Sequence, residues 1–333
     1  MRYSKGLRGS AGFSLIELMI GVTLGLVILA ALTSFFVSTS SNRHEIERTS
    51  RQIENGRFAI DTLRNELHLA GFYAELQQTG ATWQTPDPCD ATIAGTGFLL
   101  APLQIPLPVF GYTPDVAIPG CVTDQVKNTD VLVIHRFNTE TVPVGGAAGN
   151  EFYFQPSRCR NDSTTTPWAF GPGGSGSFTL RKIDCATLAD LYRHRVALFY
   201  LRTWSLTPAD NIPTLVRLEY AAGAVSVVPL VEGIQDLRFE YGIDTTGDGA
   251  PDEYRRCDTK TPCDLTQWSN VTSVRANVLA QNLEDTLGYD DVKEYDMGSG
   301  DPRAVGPFKD HRKRHVYAAV VSLVNRIGPR EGS

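Results

Sequence analysis

The chain has 333 residues, with 31 Lys plus Arg against 37 Asp plus Glu, a formal charge of −6, 42% hydrophobic residues and 20% charged ones. This composition is globular and excludes wholesale disorder and a coiled-coil rod. The mild acidity argues against nucleic acid as a partner, and a single long apolar segment excludes a polytopic membrane protein.

The first element is a short basic leader, Met1 to Gly12, carrying Arg2, Lys5 and Arg8 and no acid. An apolar run follows at once, from Phe13 to Val37, with Glu17 as its only charge. At ~1.5 Å per residue, a helix of this length covers roughly 37 Å, enough to cross the hydrocarbon core of a bilayer. The basic flank places the leader in the cytoplasm and everything after Val37 across the membrane. An ordinary secretory signal has a small-residue cleavage site after a shorter apolar stretch. Here Ala11-Gly12 precedes the run, and Ser34-Phe35-Phe36 is bulky. The generic reading is an uncleaved single-pass anchor.

Glu17 does not fit that reading easily. A carboxylate inside a span costs at least ~2.5 kcal/mol and calls for a partner. No Lys, Arg or His lies elsewhere in the run. Glu17 either sits near the membrane edge, protonated or snorkelling, or it is neutralised by a new cation. Cleavage after Gly12 would supply one: the freed amine of Phe13 lies at i, i+4 from Glu17, in the same chain or in a neighbouring subunit. Gly21 and Gly25 form a small-xxx-small pair that would allow close helix approach, though glycine is common in membrane helices.

Helical spacing continues past Val37. Ile46, Ile53, Ile60, Leu63, Leu67 and Ala70 make an apolar stripe, Gly56 interrupts it at ~1 kcal/mol, and Gly71 is a stop signal. The expectation is one helix from Phe13 to Ala70, roughly 87 Å long. Its span is 13–37 and its amphipathic part 38–75, and a β-rich head occupies 76–333.

From about Pro86 the chain turns rich in Gly, Pro, Thr, Ser and Asp, and short apolar or alternating runs appear. Strands are expected at Asp130–His135, Glu151–Phe154, Val196–Trp204, Thr214–Tyr220, Val225–Val231, Gln235–Tyr241, Val271–Leu279 and His315–Val324. Their spacing leaves no room for crossover helices, so antiparallel pairing is expected. Gly171–Gly176 lacks the Lys of a phosphate loop and reads as a flexible turn.

All six cysteines lie beyond the span: Cys89, Cys121, Cys159, Cys185, Cys257 and Cys263. An even number suits an oxidising compartment, and the missing C-x2-C pairs argue against structural zinc. Sequence does not choose among the pairings. Neighbour pairing is the working expectation, firmest for Cys257 and Cys263 because the loop between them is short.

The candidate metal loop runs from Asp244 to Glu253. With Asp244 as position 1 of an EF-hand count, Asp248 falls at 5, the Ala250 carbonyl at 7 and Asp252 at 9. Thr246 at position 3 and Arg255 at position 12 exclude a true EF-hand. A looser calcium loop and a plain acidic hairpin turn both remain open. His311 and His315 flank Arg312, Lys313 and Arg314, a run read as a solvated basic patch. Neither G-x-S-x-G nor H-E-x-x-H occurs, so the enzyme reading has nothing positive behind it.

The residues GFSLIELMIGVTLGLVILAAL, Gly12 to Leu32, resemble the class III leader and N-terminal helix of type IV pilins and type II secretion pseudopilins. The resemblance implies peptidase cleavage between Gly12 and Phe13, N-methylation of Phe13, and Glu17 as the assembly glutamate. Further on, Val231-Glu232-Gly233-Ile234 with FEYGIDTTGDG, then Val274-Arg275, then RKRHVYAAVVSLVNR are similar to minor pilins of the PilW type. Residues from about 80 to 190 carry no such likeness.

The implied fold is α+β: one long N-terminal helix on a large antiparallel head. The implied function is non-enzymatic assembly of a type IV pilus, initiated at or near its tip. The implied partners are other minor and major pilins, the prepilin peptidase, the inner-membrane assembly platform and a tip adhesin, with no nucleic acid. The implied location is the inner membrane, head periplasmic, with incorporation into the pilus after processing. No cofactor is required, and calcium is the one candidate. Two alternatives stand beside this reading. One is a type II secretion pseudopilin of the J type. The other is a membrane-anchored periplasmic enzyme or binding protein.

Overall fold

The computed structural model describes residues 12, 14–76, 78, 80–162, 167–221, 223–298 and 305–327. Leader residues 1–11 and Phe13 lie outside them. The chain separates into two compact units, Met1–Ser50 and Arg51–Ser333.

In the first unit, the carbonyl of Ser14 accepts the amides of Glu17 and Leu18 and opens helix α1 (Leu15–Leu69). The apolar side chains from Leu15 to Val37 are exposed. The hydroxyls of Thr23 and Thr33 donate to carbonyls three or four residues back, so these polar groups are satisfied within the helix. The helix is long and apolar enough to cross a membrane by length and composition.

In the second unit, α1 buries Gln52, Gly56, Ala59, Ile60, Leu63 and Leu67, a face with spacings of three and four. Ile60, Leu63, Leu67 and Ala70 of the expected stripe are buried; Ile53 is 37% exposed, and Gln52 and Gly56 extend the buried face toward polar and small residues instead. The reason is the surface that it meets. Gln52 donates to the carbonyls of Ala280 (2.8 Å) and Lys313 (2.9 Å), and Asn55 donates to Glu232 O (3.1 Å). Gly71, at φ +72°, ends the helix in the left-handed conformation that favours glycine. Asn325 donates to the terminal carbonyls of His68 and Ala70.

Among the described residues, the head contains three sheets. Strands β1 (Thr82–Gln84), β2 (Leu99–Leu100) and β3 (Leu103–Pro106) make a small one in the order β1-β3-β2. Seven strands make the second: β4 (Val109–Tyr112), β5 (Val131–Val142), β6 (Phe152–Pro156), β7 (Trp168–Pro172), β8 (Leu191–Arg202), β9 (Thr214–Ala221) and β10 (Ala224–Glu232). Its main path is β10-β9-β8-β5-β4, with β6 pairing β7 and β8. The third sheet, β12-β11-β13-β14, joins β11 (Ile234–Ile243), β12 (Glu253–Arg255), β13 (Val271–Gln281) and β14 (Arg314–Ser322). Helices α2 (Leu265–Ser269) and α3 (Val324–Ile327) are single turns.

Among the described residues, every strand pairing is antiparallel except β1 with β3, which is parallel. The main core gathers Ala59, Leu63 and Leu67 of α1 with Leu132, Phe199 and Leu215 of the larger sheet and with Leu237, Val274 and Val278 of the smaller. The opposite face of the seven-stranded sheet packs Val131, Val133, Leu198 and Tyr200 against Leu107, Phe110 and Val122. Disulfides join Cys89 to Cys121, Cys159 to Cys185 and Cys257 to Cys263.

Candidate functional site

The N-terminal segment is a site by exposure and chemistry. Gly12 and Glu17 are both exposed, and Glu17 lies in the first turn of α1. A Cβ added at Gly12 would meet nothing within 4 Å, and the same holds at Gly21 and Gly25. None of the three has the positive φ that favours glycine. Packing within this chain therefore gives no reason for glycine at these positions. A peptidase that must admit the backbone at Gly12, or another helix that approaches at Gly21 and Gly25, would give one.

The acidic loop is a hairpin turn between β11 and β12. Asp244, almost fully buried, accepts the amides of Gly247 (2.6 Å) and Gly249 (3.0 Å). Asp252 accepts the amides of Thr245 (2.7 Å) and Thr246 (3.1 Å) and the Thr245 hydroxyl (2.7 Å). These bonds hold the Asp252 carboxyl below its usual range, the Thr245 hydroxyl contributing most. Asp248 accepts the amide of Ala250. The carboxylates expected as calcium ligands thus serve as acceptors that tie the turn together. Among the described residues, no group of three or more His, Cys, Asp or Glu is gathered to hold a metal.

The basic run near the end is not a free surface patch. Arg314 is buried and binds Asp291 (2.7 Å), Asp310 (2.6 Å) and Gln281 (3.1 Å). Arg312 pairs with Asp285 at 3.2 Å. Asp310 is four residues upstream of Arg314, while Asp285 and Asp291 come from a loop more distant in the chain, where sequence spacing gave no sign of them.

Sequence reading also missed the aromatic box around His135 and His194. Their rings stack at 5.7 Å between Phe110 and Phe98, and both are buried. Both ring nitrogens of His135 and Nε2 of His194 lack hydrogen-bond partners. Burial holds both imidazoles neutral, pushing His194 down to about 3. Alternation along β5 placed His135 on a core face, and that was the available signal.

Comparison with known proteins follows the same division. Residues 7–33 match the prokaryotic N-terminal methylation motif, and residues 199–325 match the family of type IV pilus-assembly protein W. The second match runs from the end of β8 through β9, β10, β11, β12, β13 and β14 to α3. Among solved structures, the type IV-like pilin TTHA1219 from Thermus thermophilus is similar at 10% identity and a TM-score of 0.31, covering 62% of this chain and 80% of that one. No curated protein matches the chain. The methylation motif, the long apolar helix and the antiparallel head define a type IV pilin-like protein, anchored in a membrane. Residues 199–325 carry a likeness to the family of type IV pilus-assembly protein W. That family and fold are structural rather than enzymatic.

Proposed function

We propose that this chain is a minor pilin that helps to initiate type IV pilus assembly at or near the tip. It waits in the inner membrane with its head in the periplasm. The prepilin peptidase cleaves between Gly12 and Phe13 and methylates Phe13. The freed helix then packs with the helices of other minor and major pilins above the inner-membrane platform. Glu17 pairs with the Phe13 amine of a neighbour and fixes the register, because an unpaired carboxylate in that apolar setting is costly.

The observation that carries this reading is the match of residues 7–33 to the methylation motif, continuous with an apolar helix in which Gly21 and Gly25 meet no packing neighbour within the chain. A pseudopilin of the J type shares this N-terminus, and the PilW match favours the pilus. Deletion of the gene in the native cell tests the choice. Loss of surface pili and twitching with secretion intact supports the proposal. Loss of protein secretion with normal pili overturns it.

A further inference from the structure

Strand β14 is the outer strand of the third sheet. Two bonds at its ends fix the direction of its backbone groups. The Asn282 amide donates to Lys313 O at 2.9 Å, and the Leu323 amide donates to Thr272 O at 2.8 Å, each between residues that the β13–β14 register sets directly opposite. In an antiparallel ladder such bonded pairs recur at every second residue. Tyr317, Ala319 and Val321 therefore turn their amides and carbonyls toward β13. Val316, Ala318 and Val320 turn theirs outward, where no strand among the described residues pairs with them. This edge is open along its length. It runs nine residues without a register shift, and neither proline nor charge lies between His315 and Ser322. The other long edge is closed, since β10 carries Pro229 and a bulge between Pro229 and Val231. Strands β4 and β12, also outermost, have only four and three residues. Short strands, bulges and proline keep an edge from pairing with another chain, and β14 has none of them.

The surroundings specify what fits there. Tyr317 packs on Gly56 of α1, so alternation puts Val316, Ala318 and Val320 on the face away from the helix, the last two exposed. On the α1 side, the residue after Gly56 is Arg57, which is exposed. Burial raises the Tyr317 pKa, and the Arg57 guanidinium beside the ring opposes that rise. Among the described residues Arg57 has no carboxylate partner. We propose that the β14 edge takes up an extended segment of another protein chain as a further strand, with β-branched apolar residues opposite Val316, Ala318 and Val320 and a carboxylate opposite Tyr317. The backbone of the segment pairs with the three outward residues. Its apolar side chains cover Val316 and Val320 and fill the space beside the small Ala318. Its carboxylate lies on the α1 side and meets Arg57. A second copy of this chain fits the edge poorly, because β14 itself carries no acid for Arg57. Strand β14 also runs alongside α1 in the same direction, since Gln52 meets Lys313 and Asn325 meets His68 and Ala70. Antiparallel self-pairing would set two α1 segments in opposite directions, which two chains anchored in one membrane do not allow. The proposal rests on the head alone and not on processing at Gly12.

The test is amide exchange by NMR on the full chain in detergent micelles, with the capped peptide TVTVEVT as probe and TVTVKVT as its charge-reversed control. In the free chain the amides of Val316, Ala318 and Val320 should exchange fast and those of Tyr317 and Ala319 slowly. Excess TVTVEVT should slow the three outward amides by about tenfold or more. TVTVKVT should bind roughly fivefold more weakly, and Arg57→Glu should reverse that preference. Ala318→Pro removes an outward donor and no bond to β13, and it should abolish the slowing at Val316 and Val320. Outward amides that stay fast in excess TVTVEVT, or that slow equally in Ala318→Pro, overturn the proposal. Equal binding of the two peptides overturns the carboxylate. Protection that arises without peptide and grows with protein concentration assigns the edge to a second copy and overturns the proposal too.

Discussion

Gly56 of helix α1 lies directly against the ring of Tyr317 on β14: a Cβ built on the glycine would stand 2.2 Å from Cε2 of the tyrosine. Glycine within a helix costs about 1 kcal/mol against alanine. Here that cost admits a ring that reaches into the main core. Gly56→Ala should destabilise the chain by about 1–3 kcal/mol, the usual range for overpacking, despite the gain in helix propensity. Thermal unfolding by circular dichroism in detergent checks this. Adding Tyr317→Val should recover part of the loss, since the obstructing ring is gone.

Gln52 anchors the same helix by a different means. Its buried amide bridges carbonyls at Ala280 and Lys313, on two chain segments that the third sheet brings together. Gln52→Leu keeps the volume and removes both donors. The Lys313 carbonyl keeps the Asn282 amide at 2.9 Å, so the loss is that of two net hydrogen bonds at about 1 kcal/mol each, roughly 2 kcal/mol in all. Gln52→Glu should lose more, since it sets a carboxylate beside two carbonyl oxygens. Denaturant midpoints of the three proteins, measured side by side, give the ordering.

These two contacts show what sequence could and could not supply. The long helix, eight of the strands and the antiparallel pairing followed from periodicity, because their apolar residues recur over many positions. The helix face came out extended toward Gln52 and Gly56, which no hydropathy pattern flags. Strands β1, β2, β3 and β12 are two to four residues long and too short to show a period. The Asp244 loop carried a metal-like spacing, yet spacing does not show whether an oxygen points at an ion or at its own loop amide. The Gly12, Phe13 and Glu17 reading rests on covalent order along the chain, which sequence displays directly.

The two buried histidines make stability depend on pH. Their folded-state pKa values lie below the unfolded value near 6.5, so the unfolded chain binds more protons as pH falls. Stability is therefore full above about pH 6.5 and declines below it. For His194, with a folded value of about 3, the loss reaches about 2 kcal/mol by pH 5. His135 adds in the same direction. Melting temperatures at pH 7.5 and pH 5 should differ clearly in the native chain and by less in His194→Phe. An equal drop in both proteins would remove the histidines as the cause.

Buried and exposed ion pairs should behave differently. Arg256 and Asp130 are both nearly inaccessible and meet at 3.0 Å, with Asp130 also accepting the Phe239 amide at 2.9 Å. Arg256→Met strands the carboxylate and should cost about 3–5 kcal/mol. Arg64 and Asp61 pair at 2.7 Å on the exposed side of α1. Arg64→Ala should cost under about 0.5 kcal/mol. Equilibrium unfolding of both variants tests the contrast.

The N-terminal mass of the protein extracted from native-cell membranes reports directly on processing between Gly12 and Phe13. The expected chain begins at N-methylated Phe13, and the Glu17→Ala variant is expected to lose pili. A chain that still carries Met1 to Gly12, or one cut beyond Val37, would contradict this processing.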